Sequence, residues 1–237
     1  MSAGAARPAT PACAPPAGLS LGVVLLDLDG TLLDTAPDMT RALNALRAEH
    51  RLPPLPLEAV RGHVSHGSNA VVRVGFPEVG AAAFEALRER FLALYRADLV
   101  VETRLFAGFD RVLAALDAHR VPWGVVTNKP GWLTAPLLAG VGLDRRAGCV
   151  ISGDSLPVRK PDPLPLLSAA RQLQAAPADC LYLGDALRDA QAARAAGMVA
   201  LGARYGYVSA HEELDSWPVT AWINEPFELL AWVGLDA

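Results

Sequence analysis

Four short apolar runs in this chain each stop on a polar residue: VVLLD (23–27), GVVTN (124–128), CVISGD (149–154) and LYLGD (181–185), with MVALGA (198–203) a weaker fifth. Runs this short, rich in Val, Leu and Ile and without alternation, read as strands buried on both faces of a parallel sheet. The stretches between them, 109–119, 132–140, 163–175 and 187–197, read as helices. Strand and helix then alternate as in a doubly wound, Rossmann-like α/β domain. The carboxyl ends of parallel strands share one edge, and ligands bind outside it. Asp27, Thr127, Asn128, Asp154 and Asp185 are expected to gather there.

About a hundred residues separate the first run from the second, far more than one crossover helix needs. Phe84, Leu87, Phe91 and Leu94 recur at steps of three and four, and residues 37–50 have a similar character. The interval therefore reads as an inserted all-helical unit over 36–104, leaving the sheet near Thr35 and re-entering near Thr103. The sheet domain would comprise 19–35 and 105–237. Residues 1–18, rich in Ala and Pro, read as a disordered tail rather than a secretory signal. A net charge of −4 leaves no electrostatic footprint for nucleic acid or an anionic membrane. No run approaches the roughly 18 apolar residues of a membrane span. Cys13, Cys149 and Cys180, without C-x-x-C spacing, point to a reducing cytoplasm. Nothing in the pattern separates a monomer from a homodimer.

DLDGT (27–31) ends the first run with two aspartates around a turn that Gly30 permits. LGDALRD (183–189) ends another, with Asp185 and Asp189 one helical turn apart. Each alone is most simply a turn or a helix cap. Brought together, Asp27, Asp29, Asp185 and Asp189 would put four negative charges into one crevice, which requires cations. The chain holds 19 arginines but only two lysines, Lys129 in TNKP and Lys160 in RKPDP. Lys160 and a divalent ion are the nearest candidates, and oxygen-only donors combined with a phosphate suit Mg²⁺. A compact ammonium at residue 160 can bridge a carboxylate and a phosphate oxygen, whereas the arginine fork suits flat, two-pronged contacts. Lys129 has the weaker claim, as an anion-steering or solvated loop charge, and Lys129→Arg is expected to cost little.

In that order, DLDGT, Thr127, Lys160 in RKPDP and GDALRD resemble the four motifs of the haloacid dehalogenase (HAD) superfamily, and the helical insertion resembles its C1 cap. The resemblance runs from Val23 to the C-terminus. More narrowly, DLDGTLLDTAPD, VVTNKP, RKPDPLPL and YGY (205–207) resemble phosphoglycolate phosphatases and the closely similar N-acetylmuramic acid 6-phosphate phosphatases. This implies a Mg²⁺-dependent phosphatase acting on a small phosphorylated metabolite, 2-phosphoglycolate first, through an aspartyl-phosphate.

By the same resemblance Asp27 is the nucleophile, and Asp29 is the general acid and base, helped by neighbouring carboxylates. The turn amides at Leu28 and Asp29, the Thr127 hydroxyl, the Asn128 N–H and Lys160 would hold phosphate oxygens. Asp27, the Asp29 carbonyl oxygen and Asp185 would hold Mg²⁺, with Asp189 orienting a metal-bound water. Relatives that are dehalogenases or cation pumps lack an acid at the second aspartate, so Asp29 favours phosphate esters. A phosphonate hydrolase would need a cap lysine, and 36–104 contain none. A phosphosugar mutase retains both aspartates and is an alternative; a non-catalytic phosphate-binding protein would lack one of these groups. In the cap, VRGHVSHGSNAVVR (60–73) supplies Arg61, His63, Ser65, His66, Gly67 and Ser68 as candidates for the substrate's non-phosphate end. Tyr205 and Tyr207 are expected to serve as packing or as support for the C-terminal region.

Overall fold

The apolar runs become strands because neither face of them tolerates water. In the computed structural model, which describes residues 15, 16, 19, 21–209 and 212–236, β1 (Val23–Leu26) is followed by a two-residue strand β2 (Leu33–Asp34). Four helices come next: α1 (Ala36–Glu49), α2 (Leu57–Arg61), α3 (Ser68–Gly75) and α4 (Ala81–Ala97). The chain returns through β3 (Arg104–Leu105) and α5 (Phe109–Ala118). It then alternates through β4 (Trp123–Val126), α6 (Gly131–Gly140), β5 (Cys149–Ile151), α7 (Leu164–Gln172), β6 (Cys180–Gly184), α8 (Leu187–Ala195) and β7 (Val199–Ala203), ending with β8 (Ala221–Ile223). The expected N-terminal tail lies almost wholly outside the described residues. Among those residues, no helix is long and apolar enough to cross a membrane.

Six strands form one sheet in the order β5-β4-β1-β6-β7-β8, every pair parallel. The lack of alternation in the sequence has its reason here. Val24 and Leu26 of β1 face Val112, Leu113 and Leu137 of α5 and α6, while Val23 and Leu25 face Leu166 and Ala169 of α7 and Ala192 of α8. Each such Val or Leu side chain contributes about 1.5–3 kcal/mol by leaving water. The strand order reverses at β1, the switch point where an open α/β sheet forms its crevice. Leu26 is level with Val125 and Leu183, so Asp27, Thr127 and Asp185 emerge side by side just past the three central strands.

Helices α1–α4 surround their own apolar cluster, with Leu43, Leu46, Val71, Val72, Phe76, Leu87 and Phe91 buried within it. On α4 the fully buried positions are Leu87, Phe91 and Tyr95, a stripe at steps of four. The two chain crossings between this unit and the sheet domain pair as β2 and β3, with Leu33 opposite Leu105 and Asp34 opposite Arg104. Asp38, in the first turn of α1, fastens the return. It accepts N–H bonds from Val101, Glu102 and Thr103, a 2.8 Å bond from the Thr103 hydroxyl and a 2.9 Å bond from Arg41. Burial alone would raise its pKa, but these bonds hold it below the usual carboxylate range. The short β8 interrupts the expected scheme, since AWI carries no apolar run long enough to read as a strand.

Candidate active site

The end of β1 turns sharply, and Gly30 is what allows it. Its φ is +79°, and a Cβ there would lie 2.0 Å from Oδ2 of Asp185, so only glycine lets the two loops approach. Asp27 is buried, and its Oδ1 accepts both the Leu28 N–H (2.7 Å) and the Lys160 ammonium (3.0 Å). The Leu28 amide, expected to hold a phosphate oxygen, instead fixes the orientation of the nucleophile candidate.

Lys160 is sealed behind this carboxylate with no exposed side-chain surface. Its ammonium also lies 2.8 Å from Asp189 Oδ1, 2.9 Å from the Val126 carbonyl oxygen and 2.6 Å from the Tyr182 hydroxyl. Four partners for three N–H groups leave none free for a phosphate oxygen, so the bridge Lys160 makes is between two aspartates. The Asn128 side chain clamps its backbone, accepting the Lys160 N–H at 3.0 Å and donating to the Lys160 carbonyl oxygen at 2.9 Å. Asp189, expected to orient a water, has both oxygens engaged: Oδ1 with Lys160 and Oδ2 with the Ala186 N–H at 3.0 Å. Burial works against its charge, but Lys160 and Arg188 hold its pKa below the ordinary value. Asp27 is pushed up, because burial outweighs the help of Lys160 and Asp189 adds a like charge.

Asp185 stands beside them. Its Oδ2 accepts the Tyr207 N–H (2.9 Å) and the hydroxyl of Ser65 from the inserted helical unit (2.7 Å). Burial, Asp27 and Asp189 together push its pKa up to about 7. Tyr207 is more than packing. Its hydroxyl donates to Asp34 at 2.7 Å and accepts the Ala36 N–H at 2.8 Å, so one residue ties Asp185 to the crossing between the two parts. Tyr205 donates to the Thr31 carbonyl oxygen at 3.1 Å and packs against Phe106.

Asp29 lies apart from the carboxylate cluster. Its partners are the Thr35 hydroxyl at 2.6 Å and the Lys129 ammonium at 2.9 and 3.2 Å, in place of the neighbouring carboxylates expected from the sequence. Lys129 is correspondingly no solvated loop charge: it is buried, and Tyr95 on α4 stands 3.1 Å from its nitrogen. Burial opposes the ammonium, but Asp29 beside it raises its pKa above the ordinary lysine value. Burial also pushes the Tyr95 hydroxyl up to about 12.

A cavity of about 760 Å³ opens above these groups. Asp27, Asp29, Thr127, Asn128 and Lys129 form its floor, and the described lining omits Lys160 and Asp185, which lie behind. The Thr127 oxygen accepts the Lys129 N–H at 3.2 Å, leaving its proton to donate. Of the cap candidates, Ser65, His66, Gly67 and Ser68 border the cavity. Arg61 and His63 do not: Arg61 pairs with Asp34 at 2.8 Å and lies over the Tyr207 ring, and His63 is exposed. Asp154 is exposed at the rim, accepting the Gly131 N–H at 2.7 Å. Missed in the sequence were Asn69, the α4 residues Glu85, Arg88, Leu92 and Tyr95, and Arg159 and Arg188. The four α4 residues fall at steps of three, four and three, a helix face whose mixed chemistry carries no apolar signal. Arg188 donates to the Ser65 carbonyl oxygen, a further contact between the helical unit and the sheet domain.

Carboxylate oxygens of Asp27, Asp185 and Asp189 lie within 4.8 Å of one another, all buried. Three carboxylates outnumber the two cations beside them, Lys160 and Arg188, and all the donors are oxygen. That combination fits a hard divalent cation. A family model of haloacid dehalogenase-like hydrolases matches residues 21–197. A phosphoglycolate phosphatase from Xanthomonas campestris pv. campestris is 44% identical over 206 residues, covering 87% of this chain and 93% of that protein. An N-acetylmuramic acid 6-phosphate phosphatase from Pseudomonas putida is 40% identical over 214 residues, covering 89% and 95%. A solved structure from Lactobacillus delbrueckii subsp. bulgaricus superposes with a TM-score of 0.80 over 92% of this chain and 100% of that one; its 22% identity speaks for the fold alone.

Proposed function

Because this chain belongs to the haloacid dehalogenase-like hydrolases, we propose that it is a phosphomonoesterase in which Asp27 is the nucleophile and Asp29 the acid and base. The observation that carries the reading is the cavity floor. Asp27 is held through Oδ1 alone, which leaves Oδ2 for the cavity, and Asp29 borders the same space. In the first step Asp27 attacks phosphorus, the bond from phosphorus to the ester oxygen breaks, and Asp29 delivers its proton to the departing alkoxide. In the second, water gives a proton to Asp29 and its oxygen attacks phosphorus, freeing the Asp27 carboxylate and inorganic phosphate. Thr127 and the Asn128 N–H hold non-bridging oxygens. Lys160 aligns Asp27 and compensates its charge. Asp27, Asp185 and the Asp29 carbonyl oxygen would hold Mg²⁺, which when bound would supply positive charge to offset that of the phosphate. The helical unit excludes bulk water when it lies against the sheet edge. The buried thiols of Cys149 and Cys180 are free, which suits work in the cytosol.

2-Phosphoglycolate is the first substrate on this reading, following the relatives at 42–44% identity. A second reading, N-acetylmuramic acid 6-phosphate, is favoured by the cavity itself: about 760 Å³ is far roomier than a two-carbon ester fills. Hydrolysis of p-nitrophenyl phosphate with Mg²⁺ tests the chemistry. Wild type is expected to turn over and Asp27→Asn to show no turnover; an inactive, folded wild type would overturn the proposal. The ratio of kcat/KM on the two natural esters then decides between the substrates.

A further inference from the structure

Lys129 and Tyr95 together form a device that the four motifs do not contain. Three segments distant in sequence meet here: the turn after β1, the loop after β4 and the cap helix α4. The ammonium of Lys129 spends its N–H groups on Asp29 Oδ1 (2.9 Å), Asp29 Oδ2 (3.2 Å) and the Tyr95 hydroxyl (3.1 Å). It also sits 4.7 Å from the centre of the Tyr95 ring. Contact with both oxygens blocks rotation of the carboxylate, and the Thr35 hydroxyl, 2.6 Å from Oδ1, pins it from the crossing between the two parts. Tyr95 is 1% exposed and is the only one of these groups on the helical unit. Its grip on Lys129 therefore depends on that unit lying against the sheet edge.

We infer that Lys129 is the positioning residue for Asp29, and that Tyr95 makes this positioning conditional on cap closure. The inference rests on the phosphatase reading above, in which Asp29 protonates the leaving oxygen. It separates two parts of the reaction. Attack on phosphorus depends on Asp27, Lys160 and Asp189, none of which Lys129 touches. Protonation of the alkoxide depends on the aim of Asp29, which Lys129 sets. The expectation that Lys129→Arg costs little is reversed, because a longer, planar guanidinium cannot set a single nitrogen against both Asp29 oxygens and the Tyr95 hydroxyl.

The choice of leaving group reads out the difference. An alkoxide must be protonated as it departs, whereas p-nitrophenolate leaves without an acid. The quantity to compare is kcat/KM, which reads only the steps through departure of the alcohol and not the later hydrolysis that Asp29 serves for every ester. Lys129→Met is expected to lower kcat/KM by ~10²-fold or more on the better of 2-phosphoglycolate and N-acetylmuramic acid 6-phosphate, the range of a lost general acid. On p-nitrophenyl phosphate the loss is expected to stay below about tenfold. Tyr95→Phe should show the same skew at about a tenth of the size, with Lys129→Arg lying between them. If Lys129→Met does not fold, the Tyr95→Phe and Lys129→Arg ratios carry the same test. Equal losses of kcat/KM on both kinds of ester, with an active wild type, would overturn this inference and leave the phosphatase reading intact. A wild type inactive on every ester would remove both.

Discussion

The floor and the roof of the cavity are built on opposite physical terms. At the floor and directly behind it, Asp27, Lys160 and Asp189 are almost wholly buried and satisfy one another. On the roof, Glu85 and Arg88 of α4 pair with each other on a surface that is 54% and 31% exposed. Removing one member of a buried charge cluster strands the others, at a cost of about 3–5 kcal/mol. Breaking an exposed pair costs about 0–1 kcal/mol. The floor therefore tolerates almost no change, while the roof is free to be rewritten for different substrates. The two sets of residues stand on separate elements, with β2, β3 and Tyr207 joining them.

The largest expected effect tests the floor. Lys160→Met removes the one ammonium that contacts both Asp27 and Asp189, and it should abolish turnover of p-nitrophenyl phosphate and of natural esters alike. Its unfolding free energy, measured by denaturant titration, should fall by about 3–5 kcal/mol. Added Mg²⁺ should restore part of that stability, since a divalent ion binding the native cluster compensates the same charges. Loss of activity with unchanged stability would mean that Lys160 serves the substrate alone, and the contrast with the roof would weaken.

Most of the floor was legible in the sequence because each group follows its own apolar run. Asp27, Thr127 and Asp185 stand at strand ends, so the pattern that reveals a buried strand also locates the residue beyond it. Lys160 drew notice through scarcity. What escaped was every contact formed by convergence. Lys129 and Asp29 are 100 residues apart, Tyr207 and Asp185 22 apart, and no local pattern announces either pair. Asn128 was read for its backbone, while its side chain turned out to hold Lys160. The roof was harder still. Phe84, Leu87, Phe91 and Leu94 marked the packed face of α4, but the neighbouring face of Glu85, Arg88, Leu92 and Tyr95 reads as an ordinary mixed surface until the cavity shows what it covers.

A smaller effect tests the roof. Arg88 borders the cavity and is partly released from solvent. A charge-assisted bond to an acidic substrate is worth about 1.5–3 kcal/mol. Arg88→Ala should therefore raise KM for a substrate bearing a second acid group by roughly tenfold while leaving kcat within about twofold, the pattern of lost uniform binding. p-Nitrophenyl phosphate, which has no such group, should be affected less. A collapse of kcat would place Arg88 among the reacting groups and erase the division between roof and floor.

The smallest effect concerns a residue the sequence singled out and the fold sets aside. His63 lies in the same glycine-rich stretch as Ser65 and His66, yet it is exposed and does not border the cavity, whereas His66 does. The short helical turn Val64–His66 rotates neighbouring side chains to different faces, so three residues of separation do not guarantee a shared surface. A surface substitution with no structural partner changes free energies by about 0.5 kcal/mol at most. His63→Ala should therefore keep kcat/KM within about twofold on every ester, while His66→Ala should change the ratio between the two natural esters. A loss above tenfold in His63→Ala, confined to a natural ester, would show that the roof turns a different face to the substrate during turnover.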